Sequence, residues 1–306
     1  MADHIVYDRK AGILGGLRES HQPHLMLSLF RDQVPPAPAS WDGTHGFVQW
    51  GMDGNDQWGD CGAAATDHFN VAKAGTLAVL NTLGKPKFSG TLSTYWAYGL
   101  AMGEQGQPPN GPDQPDEGVD NASWLGFLYK SGIIDGYAEV SLENLHSAAV
   151  EFGGALIGVQ LDSDAQDNFE ATPRVPWGST PGDTPNPTMG HDILFIGYEA
   201  DGSGTVVTWG GLQPCAPDFF TNNVTDAWVI LDEEDAKRTG VNWEALQSAL
   251  QALHGVVNPQ PAPAPTPAPT PAPTPVQPSF VQKVEALAND AITAIKNLVS
   301  EVINGN

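Results

Sequence analysis

A chain of 306 residues, 41% of them hydrophobic, is long enough for one large domain or two smaller ones and can bury a substantial core. Thirteen Lys and Arg against thirty-six Asp and Glu leave a formal charge of −23, so phosphate backbones and anionic membrane surfaces repel the chain and nucleic acid is not an expected partner. No apolar stretch reaches the roughly eighteen residues of a membrane span, and two cysteines, Cys61 and Cys215, supply neither a disulfide framework nor a zinc-binding spacing, so no span, metal or cofactor is expected.

In chain order, MADHIVYDRK lacks the basic-then-apolar profile of a signal peptide, which predicts a cytoplasmic location in the producing cell. Residues 1–33 read as an N-terminal extension; His21 and His24 lack a third ligand at a suitable spacing and read as solvated loop. VPPAPASWDGTHGFVQWGMDGND, from residue 34, mixes turn formers with isolated aromatics and is loop-rich. Helices are predicted next in CGAAATDHFNVAKAG, LSTYWAYGLAM and NASWLGFLYKSG, each with apolar residues at helical spacing. From about Leu156 the period shortens, and ALIGVQL, HDILFIGYE, GTVVTWG and DAWVIL read as strands between Gly, Asp and Pro turns. A helix over residues 242–253 closes a domain spanning 34–257, and the whole reads as an α+β fold with a helical half followed by a β half.

Residues 258–278, NPQPAPAPTPAPTPAPTPVQP, form a proline-rich linker that favours polyproline II and spaces its ends by about 60 Å. Beyond it, residues 279–306 carry an amphipathic helix opened by the capping box Ser279 and Gln282. Phe280, Val284, Leu287, Ala291, Ile295, Leu298 and Val302 follow a coiled-coil seam with one stutter. Such a helix predicts self-association or a protein partner through residues 279–303.

Cys61 sits in NDQWGDCGAAA, directly ahead of an alanine run that should start a helix. The positive end of a helix lowers a thiol's pKa and favours thiolate, which makes Cys61 a candidate nucleophile. Its backbone N–H is one oxyanion donor, and Asn55 or Gln57, six and four residues upstream, is the second. His191 opens an apolar strand 130 residues downstream and is the candidate base. His68, two helical turns past Cys61, reads as a core or rim histidine. Trp58, Trp177 and Trp209 read as cleft-wall candidates, with core packing expected for at least one of them.

Several linked segments resemble the papain-like cysteine peptidases: PASWDGTHGFVQWGMDGNDQWGDCG, ASWLGFLYKSGI, LENLHSAAVEFGGALIGVQL, GHDILFIGY and VVTWGG, over about residues 34–235. In that family the base follows the nucleophile by about 130–150 residues. The chain is also similar to papain-like proteins of phages and actinobacteria that carry GND-x-x-GDC and TWG segments. The resemblance implies a papain-like fold and Cys-His hydrolysis of peptide-type amides, in polypeptide or in bacterial cell-wall peptide. It also implies a possible virion association. The family's Cys-Gly-x-Cys-Trp is absent, and matching Cys61 to its first cysteine would put Ala64 on the nucleophile. Cys61 itself, in an Asp-Cys-Gly setting similar to that of bacteriocin-processing transporter peptidases, is the preferred match, and Asn55 then stands where the family has its oxyanion Gln. The family's orienting Asn falls on Val207, which cannot bond to imidazole, leaving Thr208 or Asp226 to orient His191. The rival reading is a catalytically silent structural, virion-associated or adhesive protein on the same scaffold, favoured by Val207 and by the spacer and helix of the tail.

Overall fold

A strand with no polar alternation must be covered on both faces, and the run GHDILFIGY is buried along its whole length. It is an internal strand of the sheet. The computed structural model describes residues 25–47, 50–53, 55–56, 59–74, 118, 120–130, 132–182 and 184–255. Its strands are β1 (Trp41–Asp42), β2 (Tyr137–Glu139), β3 (Ala155–Gln160), β4 (Gly190–Tyr198), β5 (Gly204–Thr208), β6 (Gly211–Cys215) and β7 (Val224–Ile230). They form one sheet in the order β2-β7-β3-β4-β5-β6, with β1 paired to the far end of β4. Every pairing is antiparallel. The helices are α1 (Cys61–Ala74), α2 (Asn121–Lys130), α3 (Leu145–Phe152), α4 (Ala165–Glu170), α5 (Pro217–Asn222), α6 (Glu233–Thr239) and α7 (Trp243–His254). The fold is α+β, with helices α1 and α2 preceding most of the sheet in the chain.

Neighbours on a strand point to opposite faces. Asp192 of β4 meets Cys61 of α1 and Asn121 of α2 on one face. Phe195 meets His146 of α3 and Phe220 of α5 on the other. The Asp60 carbonyl accepts the first helical bond, from Ala64, so an Asp caps α1, a preferred residue there. Ala63, Ala64, Ala65, Phe69 and Ala72 are all buried, and small side chains let this helix lie close on β4. In its last turn Lys73 pairs with Asp235 of α6 and, at 3.7 Å, with Asp232, the N-cap of that helix. A cation suits that end of the helix dipole.

The expected strand GTVVTWG stops at Thr208, because Trp209 (φ 44°) and Gly210 (φ 73°) are both left-handed. With Thr208 paired to Gly211, they are the two central residues of a hairpin turn. That turn creates β6, which the sequence pattern did not reveal. Pro214 is tolerated there because β6 is an edge strand. β7 begins at Val224, two residues before the expected start at Asp226. The short elements β1, β2, α4, α5 and α6 were not anticipated. Residues 92–102, most of the N-terminal extension, the proline-rich linker and the helix expected at 279–303 lie outside the described residues. Among the described residues no helix is long and apolar enough to cross a membrane, and no group of three His, Cys, Asp or Glu is placed to hold a metal ion.

Candidate active site

Cys61 is the first residue of α1 and is 1% exposed. Its thiol donates to Asp192 Oδ2 at 3.7 Å. No disulfide joins it to Cys215, whose thiol burial pushes well above the ordinary range. His191, also 1% exposed, comes from the start of β4. Its Nε2 is 2.8 Å from Thr208 Oγ1 of β5, and its ring stacks on Trp209 at 4.9 Å and 24°. Its Nδ1 has no hydrogen-bond partner among the described residues.

Strand register explains why Thr208, and not its neighbour, faces the imidazole. Leu194 pairs with Val207, so Val207 shares the face of Asp192 and Leu194, and Thr208 shares that of His191 and Ile193. Asp226, the other candidate to orient His191, lies elsewhere. On β7 it pairs across Gly158 of β3, which in turn pairs with Asp192. Its Oδ1 accepts from Asn121 Nδ2 at 3.1 Å and from Trp228 Nε1 at 2.6 Å. Asn121 and Asp192, absent from the sequence-based candidates, are thus brought beside Cys61. One signal was legible: a carboxyl inside an otherwise apolar strand needs a partner.

The two neighbours on β4 are tuned in opposite directions. Burial, with His68 second, lowers the His191 pKa from 6.5 to about 3, so the imidazole is neutral. Burial, then Asp226 and Asp120, raises Asp192 well above 3.8, while the hydrogen bonds from Cys61 and Asn121 oppose that rise. A turn with a bulky non-glycine residue at positive φ is strained, and such outliers concentrate at functional sites. Trp209 adopts one, and its ring is pinned by His191, by Trp177 edge-on at 5.6 Å and by Phe169 at 5.1 Å.

Asn55 is buried in the turn before α1, its N–H donating to Met52 O at 3.0 Å. Gln57 and Trp58, like His21 and His24, lie outside the described residues. His68 is a core histidine, with Nε2 2.7 Å from Gly51 O and 3.3 Å from Asp53 Oδ2. Seven residues of helix separate it from Cys61 by about 10 Å. Trp177 is buried, donating to Ala165 O at 2.7 Å, and packs in the core instead of lining a cleft. No protein-family model matches the chain, and no curated protein matches it.

Proposed function

We propose that the chain is a papain-like cysteine peptidase or amidase that hydrolyses peptide-type amide bonds, in polypeptide or in bacterial cell-wall peptide, with Cys61 as nucleophile and His191 as base. The observation that carries this reading is the His191 ring. Thr208 ties down Nε2, Trp209 covers a face, and Nδ1 is left without a partner among the described residues, on the strand that also bears the thiol's acceptor. An imidazole oriented through one nitrogen is prepared to work through the other. In the proposed reaction the His191 ring, which strand alternation points away from the face of Asp192 and the Cys61 thiol, must first turn toward the sulfur, and Nδ1 then takes the Cys61 proton as sulfur bonds to the carbonyl carbon. The Cys61 N–H and the Asn55 side chain, or Gln57, receive the developing oxyanion. The C–N bond then breaks, the proton passes from His191 to the leaving amine, and water hydrolyses the thioester to restore the thiol.

A second reading, a silent structural or adhesive protein on this scaffold, draws on a specific observation. Both Cys61 and His191 are buried, and burial holds the imidazole neutral down to about pH 3, which disfavours a thiolate–imidazolium pair. Assay of the full chain on a broad peptide panel and on purified peptidoglycan separates the two. Wild type should turn over substrate, and Cys61→Ala and His191→Ala should each lose roughly 10²–10⁴-fold. Turnover that survives Cys61→Ala removes the thiol mechanism, and an inert wild type on both panels leaves the silent reading in place.

A further inference from the structure

We infer that Cys61 and Asp192 ionise as one coupled pair, with Asp192 the positioning residue that decides when the thiol releases its proton; the inference rests on Cys61 being the nucleophile proposed above. Three strands build the device. Asp192, Gly158 and Asp226 form a single cross-strand row on β4, β3 and β7. Because the middle residue has no side chain, the Asp226 carboxyl lies over β3. A Cβ on Gly158 would stand 2.9 Å from Asp226 Cγ and 3.0 Å from Oδ1. Asn121 spans the row, its Nδ2 donating to Asp192 Oδ1 at 2.8 Å and to Asp226 Oδ1 at 3.1 Å. With Oδ1 so held, Asp192 turns Oδ2 to the Cys61 sulfur. Cys61 and Asn121 are the first residues of α1 and α2, so the positive ends of two helices converge on the same carboxyl.

The charges acting on Asp192 are acidic, Asp226 from β7 and Asp120 from the turn before α2. Asp60 lies buried directly before α1, while β3 and β5 bring Gly158 and Val207, which do not titrate, to that face. His191, next along β4, is engaged through Nε2 with Thr208 on the other face.

The pair holds two protons between sulfur and oxygen. While Asp192 keeps its own, its O–H faces the sulfur and a thiolate is accommodated. Once Asp192 ionises, its charge beside Sγ keeps the second proton on the thiol. The two steps therefore belong to the pair and not to either residue.

The thiolate's ultraviolet absorbance, read as a pH titration of the full chain against a Cys61→Ser blank, tests this without substrate or access for a reagent. Wild type should show a broad thiolate step displaced to high pH, and Asp192→Asn a single step roughly 1–3 pH units lower, as removal of an adjacent like charge requires. Asp192→Ser, equally neutral, should reproduce the shift should the Asn variant fail to fold. Superimposed wild-type and variant titrations, or a step moved upward, overturn the coupling. The peptidase reading fails separately: loss of turnover is judged with Cys61→Ala and His191→Ala, and a chain with no hydrolytic activity still shows or lacks the spectral shift.

Discussion

Gly158→Ala should be among the most damaging single-methyl insertions in the sheet. The new Cβ would press on the Asp226 carboxyl, with Cγ at 2.9 Å and Oδ1 at 3.0 Å. A carboxylate at the end of a flexible side chain would yield easily, but this one is pinned by Asn121, by Trp228 Nε1 and by Thr225 Oγ1 at 2.9 Å. Trp228 is buried, so a displaced Asp226 weakens the bond to its indole N–H, while Asn121 keeps its bond to Asp192 Oδ1. Each buried donor left unsatisfied costs about 1–3 kcal/mol. Ala for Gly recovers about 0.5–1 kcal/mol of chain entropy. With about 1–3 kcal/mol more for forcing a methyl against a held carboxyl, the net loss is roughly 1–5 kcal/mol, to be read as a lower urea midpoint at unchanged slope. The double variant Gly158→Ala/Asp226→Ala isolates the mechanism. With the carboxyl gone, adding the methyl should cost about 1 kcal/mol or less, giving a large coupling energy. A penalty for Gly158→Ala that is negligible, or that is equally large in the Asp226→Ala background, refutes the steric account.

Two further outcomes are expected. His191, at about 3 when folded against an ordinary 6.5, contributes stability that is present above pH 6.5 and lost as pH falls toward 3. Asp192, raised above 3.8, has the opposite sign, its contribution present below pH 3.8 and lost as pH rises through the raised value. The two offset where their windows overlap, so urea midpoints from about pH 4 to 6.5 should fall with rising pH in His191→Gln and rise in Asp192→Asn, with slopes of up to about 1.4 kcal/mol per pH unit; equal slopes contradict the assignment. His146 and His254, both lowered by burial, add the same background to both variants and leave the difference intact. For the tail, light scattering should find the full chain associated and a chain ending at Val257 monomeric, since each large apolar side chain of the seam gains about 1.5–3 kcal/mol on burial. Two clean monomers remove self-association, and Leu298→Asp then lowers the stability of the globular part only if the helix packs on it.

The elements legible in the sequence are those whose pattern is imposed by burial. α1 and α2 carry helical spacing, β3 and β4 are apolar runs bounded by turn residues, and α7 follows Asn242, whose side chain caps Ala245 N–H. The short pieces were illegible because two or three residues carry no period: β1 is Trp41–Asp42 and β2 is Tyr137–Glu139. They exist through long-range pairing, with β4 and β7 respectively. β6 was hidden for another reason. Its turn has Trp where Asn or Gly would announce a hairpin, and the backbone accepts a left-handed Trp209 only because three aromatic or imidazole rings hold it.

The centre itself turns on a period of two. Cys61 and His191 are identifiable by residue type and separation, since a thiol at a helix start and a histidine at a strand start each have a mechanism. Their partners depend on which face of β4 each side chain takes, and a shift of one residue exchanges the faces. Matching the TWG segment by likeness puts Val207 where an orienting amide belongs, yet the ladder fixes Val207 opposite Leu194 and turns Thr208 toward the imidazole. The same alternation places Asp192 with the thiol, and Gly158, opposite it on β3, admits Asp226 to the row. A bulge in β7 next to Asp226, where the register jumps between Gly158 and Val159, leaves Thr225 exposed and free of the core while its hydroxyl donates to that carboxyl. The placing of the Asp192 and Asp226 carboxyls on one face of β4 and β7, and of the His191 imidazole on the other, is therefore a consequence of register, and any substitution that slipped β4 by one residue would exchange the environments of His191 and Asp192.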